Sequence, residues 1–260
     1  MTEIAGASSE LAAPAVEGGR AARHFTRNAG VFVAFDAFWS LGSPCCLMST
    51  VMPAYLLFLG SSKTLMQVVV SAMSFMVVLQ IISGTLFGGP RRRVAQVLIW
   101  SVFPACWIAY GLLAYFGWGK LPQALWMPVF VVMVFALGSV NSLAAPAYVE
   151  IVLDNTPLGR RGRLAAMRNF GIGTFGLVGL WLASSLMSRY STPLNFHTSF
   201  IVGGMLMLVS CLSVLLLRDC GSVHPHTDSF RSAWRDARKL MGNFNFRVFL
   251  VFYALLRGIA

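Results

Sequence analysis

Along this chain hydrophobic positions neither alternate with polar ones nor recur as a helical stripe; they form long, nearly uncharged blocks. A soluble domain shows a polar face at a period of about 3.6 or 2 residues, and most of the sequence shows neither. A bilayer core about 30 Å thick is crossed by about 20 apolar helical residues. Blocks of that length run from about Gly30 to Leu59, Leu65 to Gly88, Val94 to Gly117, Ala124 to Leu153, Leu164 to Met187 and Phe196 to Leu217. Strand-sized alternating segments are missing, and unpaired backbone in lipid leaves helices as the solution. The pattern predicts an all-α integral membrane protein, with a bundle of six transmembrane helices over residues 28–218. A seventh block runs from Arg247 to Ala260. At about 1.5 Å per residue it extends about 21 Å, short of the hydrocarbon thickness. Residues 247–260 therefore read as the truncated start of a seventh helix and the chain as a fragment of a longer reading frame; the alternative is a last helix displaced to the interface.

Composition agrees, with 57% hydrophobic and only 11% charged residues, more apolar than one buried core requires. The net charge of +11 would suit nucleic acid, but the positions of the charges argue for topology instead. With a cytoplasmic N-terminus, sixteen of the 20 Lys and Arg residues fall inside, in clusters such as Arg91 to Arg93 and Arg160 to Arg168, against Lys63, Lys120 and Arg189 outside. That asymmetry predicts a multi-pass protein of a cell membrane, inner or plasma, with its N-terminus in the cytoplasm, lipids as partners and no nucleic acid. Residues 1–27 are rich in Ala, Gly and Ser, carry Glu3, Glu10 and Glu17, and read as a disordered cytoplasmic tail with no cleaved signal peptide.

Residues 219–246 read as a cytoplasmic loop. Phe230, Ala233, Trp234, Ala237, Leu240 and Met241 recur there at helical spacing, opposite Arg231, Arg235, Arg238 and Lys239. This describes an amphipathic helix on an anionic leaflet, although a calmodulin-type target shows the same pattern. The five cysteines are odd in number, and Cys45, Cys46, Cys106 and Cys211 fall in apolar blocks, so neither a disulfide framework nor a zinc site is expected. His224 and His226 lack a third ligand at suitable spacing, and no cofactor or metal is expected.

Three stretches resemble the major facilitator superfamily. The first, Gly84-Thr-Leu-Phe-Gly-Gly-Pro-Arg-Arg-Arg93, is similar to the signature between helices 2 and 3, with Gly88 where the family has an aspartate. The second joins Pro146-Ala-Tyr-Val-Glu150 and Asp154 through Gly159-Arg-Arg-Gly-Arg163 to Arg168-Asn-Phe-Gly171, and resembles the end of helix 4, its short turn and the start of helix 5. Glycines 171, 173, 176 and 179 are expected along one side of that helix, either for close packing or as a moving joint. The third, Leu240-Met-Gly-Asn-Phe-Asn-Phe-Arg-Val-Phe-Leu250, looks like the run from the central loop into helix 7. The resemblance implies the N-terminal half of a major-facilitator-like fold, a missing C-terminal six-helix half as partner, and secondary transport of a small solute, with or without a coupling ion, by alternating access. The antiporter Gly-Pro signature is absent, and helix 4 lacks the arginine of many proton-coupled members, so proton-coupled drug export is not implied.

A charge inside a span is costly and marks a candidate site. Asp36, with Ser40 and Ser43 on the same stripe, is the first candidate for the solute or ion pathway; Gly42, Pro44 and Pro53 can break the helix that carries them. The alternative places Asp36 near the headgroups, paired with Arg27 or Arg168. Gln67 and Asn141 join the pathway set, or hydrogen-bond to a neighbouring helix. Arg91, Arg92, Arg93, Glu150, Asp154, Arg161 and Arg168 form a cytoplasmic charge cluster, read either as a gate or as a static headgroup contact. Aromatics such as Trp39, Trp100, Trp107, Trp118 and Trp126 suit interface belts or packing. An enzyme is not expected: His197 is the one histidine in a span, and no Gly-x-Ser-x-Gly elbow occurs. The alternatives to a carrier are a membrane-embedded enzyme and a half-length membrane scaffold. No Gly-Lys-Ser/Thr loop offers ATP as the energy source.

Overall fold

The computed structural model describes residues 4–47, 51–80, 92–218, 242–245, 247–248 and 252. Among them the regular elements are helices: α1 (Ile4–Gly42), α2 (Val51–Phe58), α3 (Lys63–Phe75), α4 (Arg92–Gly117), α5 (Gln123–Asp154), α6 (Arg161–Arg189) and α7 (Leu194–Ser213). Short 3-10 turns follow at Ser43–Cys45, Met76–Leu79, Leu158–Arg160 and Val214–Leu216. Four stretches among the described residues are long and apolar enough to cross a membrane: Gln96–Gly117, Ala124–Asp154, Leu158–Arg189 and Leu194–Leu216. They match the third to sixth apolar blocks of the sequence.

The first two blocks take another form. The first is interrupted where α1 ends at Gly42 and a 3-10 turn carrying Pro44 follows, before the short α2 begins at Val51. Proline cannot donate the next helical hydrogen bond, which gives the interruption a local cause. In the second block α3 passes into the 3-10 turn at Met76, and residues 81–91 lie outside the described set. At the N-terminal end α1 reaches back to Ile4, so the part of the expected disordered tail from residue 4 to 27 is helical instead. Ala5, Ala7, Ala12, Ala13 and Ala15 supply the strongest helix former there. The amphipathic loop over 219–246 and the seventh block over 247–260 fall almost wholly outside the described residues.

Local chemistry sets the turns. Gly60 takes φ +88° after α2; its N–H donates to Leu57 O (3.0 Å) and that of Ser61 to Leu56 O (3.0 Å), closing the helix in a Schellman motif. Ser62 then caps α3, its Oγ accepting from the Leu65 N–H at 3.1 Å.

α4 packs most extensively on α7, α1 lies against α6 and α7, and α5 lies against α4 and α3. Two buried clusters result. One, near the turns that join α2 to α3, α4 to α5 and α6 to α7, holds Tyr55, Trp107, Tyr110, Trp126, Phe130 and Phe200. The other, towards the arginine-rich turns, holds Phe32, Phe35, Trp100, Tyr148, Leu164 and Val214, and Trp39 packs against both.

Glycines govern the closest approaches. A Cβ on Gly203 of α7 would lie 2.5 Å from Cys46 Sγ and 2.7 Å from Gly42 O; one on Gly204 would lie 2.9 Å from Pro104 O of α4. The α6 glycines divide. A Cβ on Gly179 would meet Leu41 O at 2.6 Å and Ser40 O at 2.8 Å, and one on Gly171 would touch Val33, whereas Gly173 and Gly176 face open space. At about 100° per residue the four cannot share one side. The expected single stripe is thus two contact points against α1.

Candidate functional site

The helices bring a part-buried ion pair together between α1 and α6. Arg168 Nε donates to Asp36 Oδ2 at 2.5 Å and Arg168 Nη2 donates to Asp36 Oδ1 at 3.3 Å, a two-pronged pair that joins residues 132 apart in sequence. The Asp36 side chain is 8% exposed and that of Arg168 24%. Along α6, Arg168 lies seven residues past Arg161, about 10 Å inward at 1.5 Å per residue. Of the two partners open to Asp36 in the sequence, Arg168 is the one realised; Arg27 instead donates Nη2 to Leu216 O at 3.2 Å.

An aromatic wall closes the other side. The Arg168 guanidinium sits 5.2 Å from the centre of the Tyr148 ring, close enough for a cation–π attraction. Tyr148 packs on Phe35 (4.5 Å between ring centres) and Trp100 (4.9 Å), and Trp100 stacks on Phe35 at 5.0 Å. Tyr148 Oη is buried against the Asp36 and Arg168 side chains, and Trp100 Nε1 is buried with no hydrogen-bond partner. A charge pair, a phenol and an indole N–H thus stand together in one largely apolar compartment. Trp39, Trp100, Trp107 and Trp126 all pack into the two clusters, which favours the packing reading over interface belts.

The other candidates scatter. Ser40 is buried and its carbonyl faces Gly179; Ser43 opens the 3-10 turn, its carbonyl accepting from Leu47 N at 2.7 Å. Gln67 is exposed on α3 and Asn141 half-buried on α5, so neither joins Asp36. In the charge cluster, Arg161 Nη2 donates to Leu153 O at 3.3 Å, holding the C-terminal end of α5, where Glu150 and Asp154 are half-buried. Arg92 and Arg93 open α4, and Arg91 lies outside the described residues. No group of three or more metal-ligating side chains forms among the described residues.

Several interhelical polar contacts carry little signal in the sequence. Asn28, fully buried, accepts from the Arg218 N–H (3.1 Å) and donates to Arg218 O (2.9 Å), tying α1 to the chain beyond α7. Gln96 Nε2 donates to Ala144 O at 2.6 Å between α4 and α5, and Ser210 Oγ donates to Phe35 O at 2.6 Å between α7 and α1. Gln96 and Ser210 are polar residues in apolar blocks, which in lipid must find a partner on another helix; that rule could have flagged them without saying which helix, whereas Asn28 lies just before the first block.

The fold defines a membrane protein whose described residues form helices, four of them long and apolar enough to cross a bilayer. Family models, curated proteins and solved structures give no match to the chain.

Proposed function

We propose that this chain forms a six-span bundle of a secondary carrier that moves a small polar solute by alternating access, with Asp36 and Arg168 in or beside the solute path. The observation that carries the reading is the part-buried Asp36–Arg168 pair, set within an apolar span against the Tyr148, Phe35 and Trp100 rings. A lone charge in a span costs several kcal/mol, and such residues mark solute or ion pathways. Pairing reduces that cost, but an apolar pair of similar volume would do so too. In this reading the broken first block, α1 with its 3-10 turn and α2, is the first span, as broken helices flank carrier sites. The resemblance to the major facilitator superfamily points the same way and implies a second six-helix bundle facing this one. The enzyme alternative draws less support, because His197 is buried beside the Tyr55 and Trp118 rings with no hydrogen-bond partner on Nε2.

The test, made with a full-length carrier that supplies the second six-helix bundle, is uptake into proteoliposomes of a defined mixture of sugars, amino acids and carboxylic acids, read by mass spectrometry of the lumen. Asp36→Asn is expected to abolish uptake without preventing insertion. Asp36→Asn combined with Arg168→Gln removes both charges and so avoids a stranded one. If the double variant transports like the parent, the pair is structural and the pathway reading fails.

A further inference from the structure

A second feature borders the ion pair, sharing Arg168 with it, at the arginine-rich end of the bundle. Between the last turns of α5 and the first turns of α6 is a cleft of about 210 Å³, lined among others by Val149, Leu153, Arg161, Leu164, Ala165 and Arg168. Its floor is buried at Leu164, which is 2% exposed, and at Thr156. Its rim differs: Val149 is 54% and Leu153 40% exposed, on a helix long and apolar enough to lie in lipid. Arg161 stands at the mouth, exposed, and spends one donor on Leu153 O. An arginine carries five donors in a fixed fork suited to phosphate. The first turn of α6 holds no acidic residue, and its N-cap Arg160 makes no side-chain cap bond, so the positive end of the helix adds to the same field, against which stand the half-buried Glu150 and Asp154 on the last turns of α5. A free anion would need only the charges. This cleft sets its charges beside an apolar rim facing the bilayer, the complement of a headgroup that carries acyl chains.

We propose that this cleft binds an anionic phospholipid from the leaflet on the arginine-rich side, with the phosphate on Arg161 and the upper acyl chain against Val149 and Leu153. The proposal does not rest on the carrier reading, since its phosphate contact is Arg161 and not the Arg168 that the cleft shares with the ion pair. Native mass spectrometry of the purified chain in neutral detergent, with dioleoylphosphatidylglycerol, dioleoylphosphatidylcholine or glycerol 3-phosphate added, tests it. Phosphatidylglycerol should be retained at least about fivefold more than phosphatidylcholine, on the scale of one arginine at a membrane surface. Arg161→Gln should remove the preference. Ala165→Phe, which fills the cleft and leaves every charge in place, should also remove it and covers the case in which Arg161→Gln loosens the end of α5. Arg189→Gln, at the opposite end of α6, should retain it. Equal retention of the two lipids, a preference that survives Ala165→Phe, or displacement of phosphatidylglycerol by glycerol 3-phosphate would overturn the proposal.

Discussion

A single hydrogen at Gly179 sets the distance between α1 and α6. Any Cβ there meets the Leu41 and Ser40 carbonyl oxygens, which belong to backbone and cannot swing aside. Gly179→Ala should therefore push α6 outward and cost about 1–3 kcal/mol, the range for overpacking, seen as a lower melting temperature in detergent. Gly173→Ala and Gly176→Ala face open space and should be neutral or gain up to about 1 kcal/mol from helix propensity. Equal losses at all three positions would contradict the contact geometry. The sequence shows four glycines on one helix, but which of them touch depends on the rotation of α6 about its axis. The same limit applies to Asp36. Its isolation in an apolar block is legible, whereas its choice of Arg168 over Arg27 required knowing that α6 lies against α1.

At the scale of elements, legibility follows length. The blocks at 94–117, 124–153, 164–187 and 196–217 return as α4 to α7 with ends shifted by a few residues, because a long apolar run has one solution in lipid. The first block does not return whole, since Gly42 and Pro44 stop the helix inside it. The start of α3 depends on one side chain. Ser62→Ala should cost about 1 kcal/mol by leaving the Leu65 N–H without its cap, while Ser62→Asp should retain most of it. Hydrogen exchange at residues 63–67 reads this directly: faster exchange in the alanine variant and near-parental exchange in the aspartate variant are expected.

For the whole molecule, the turns alternate between two ends. Gly119 and Gly159 are exposed in turns at opposite ends, and the concentration of arginine around Gly159 predicts a cytoplasmic position for it. In a background free of native cysteines, Gly119→Cys should react with an impermeant maleimide added to intact cells, and Gly159→Cys should react only after lysis. The reverse pattern would invert the topology. By itself the sequence determines the membrane class, the long helices and the expected orientation, because these depend on sums over many residues: the length of apolar runs and the distribution of Lys and Arg. Tertiary structure alone decides which helix faces which, that Arg168 closes on Asp36 beneath Tyr148, that Asn28 grips Arg218, and that α5 and α6 leave a cleft between them. Such contacts join residues far apart in the chain, and a helix with apolar residues on every side gives no sign of the face its neighbour will cover.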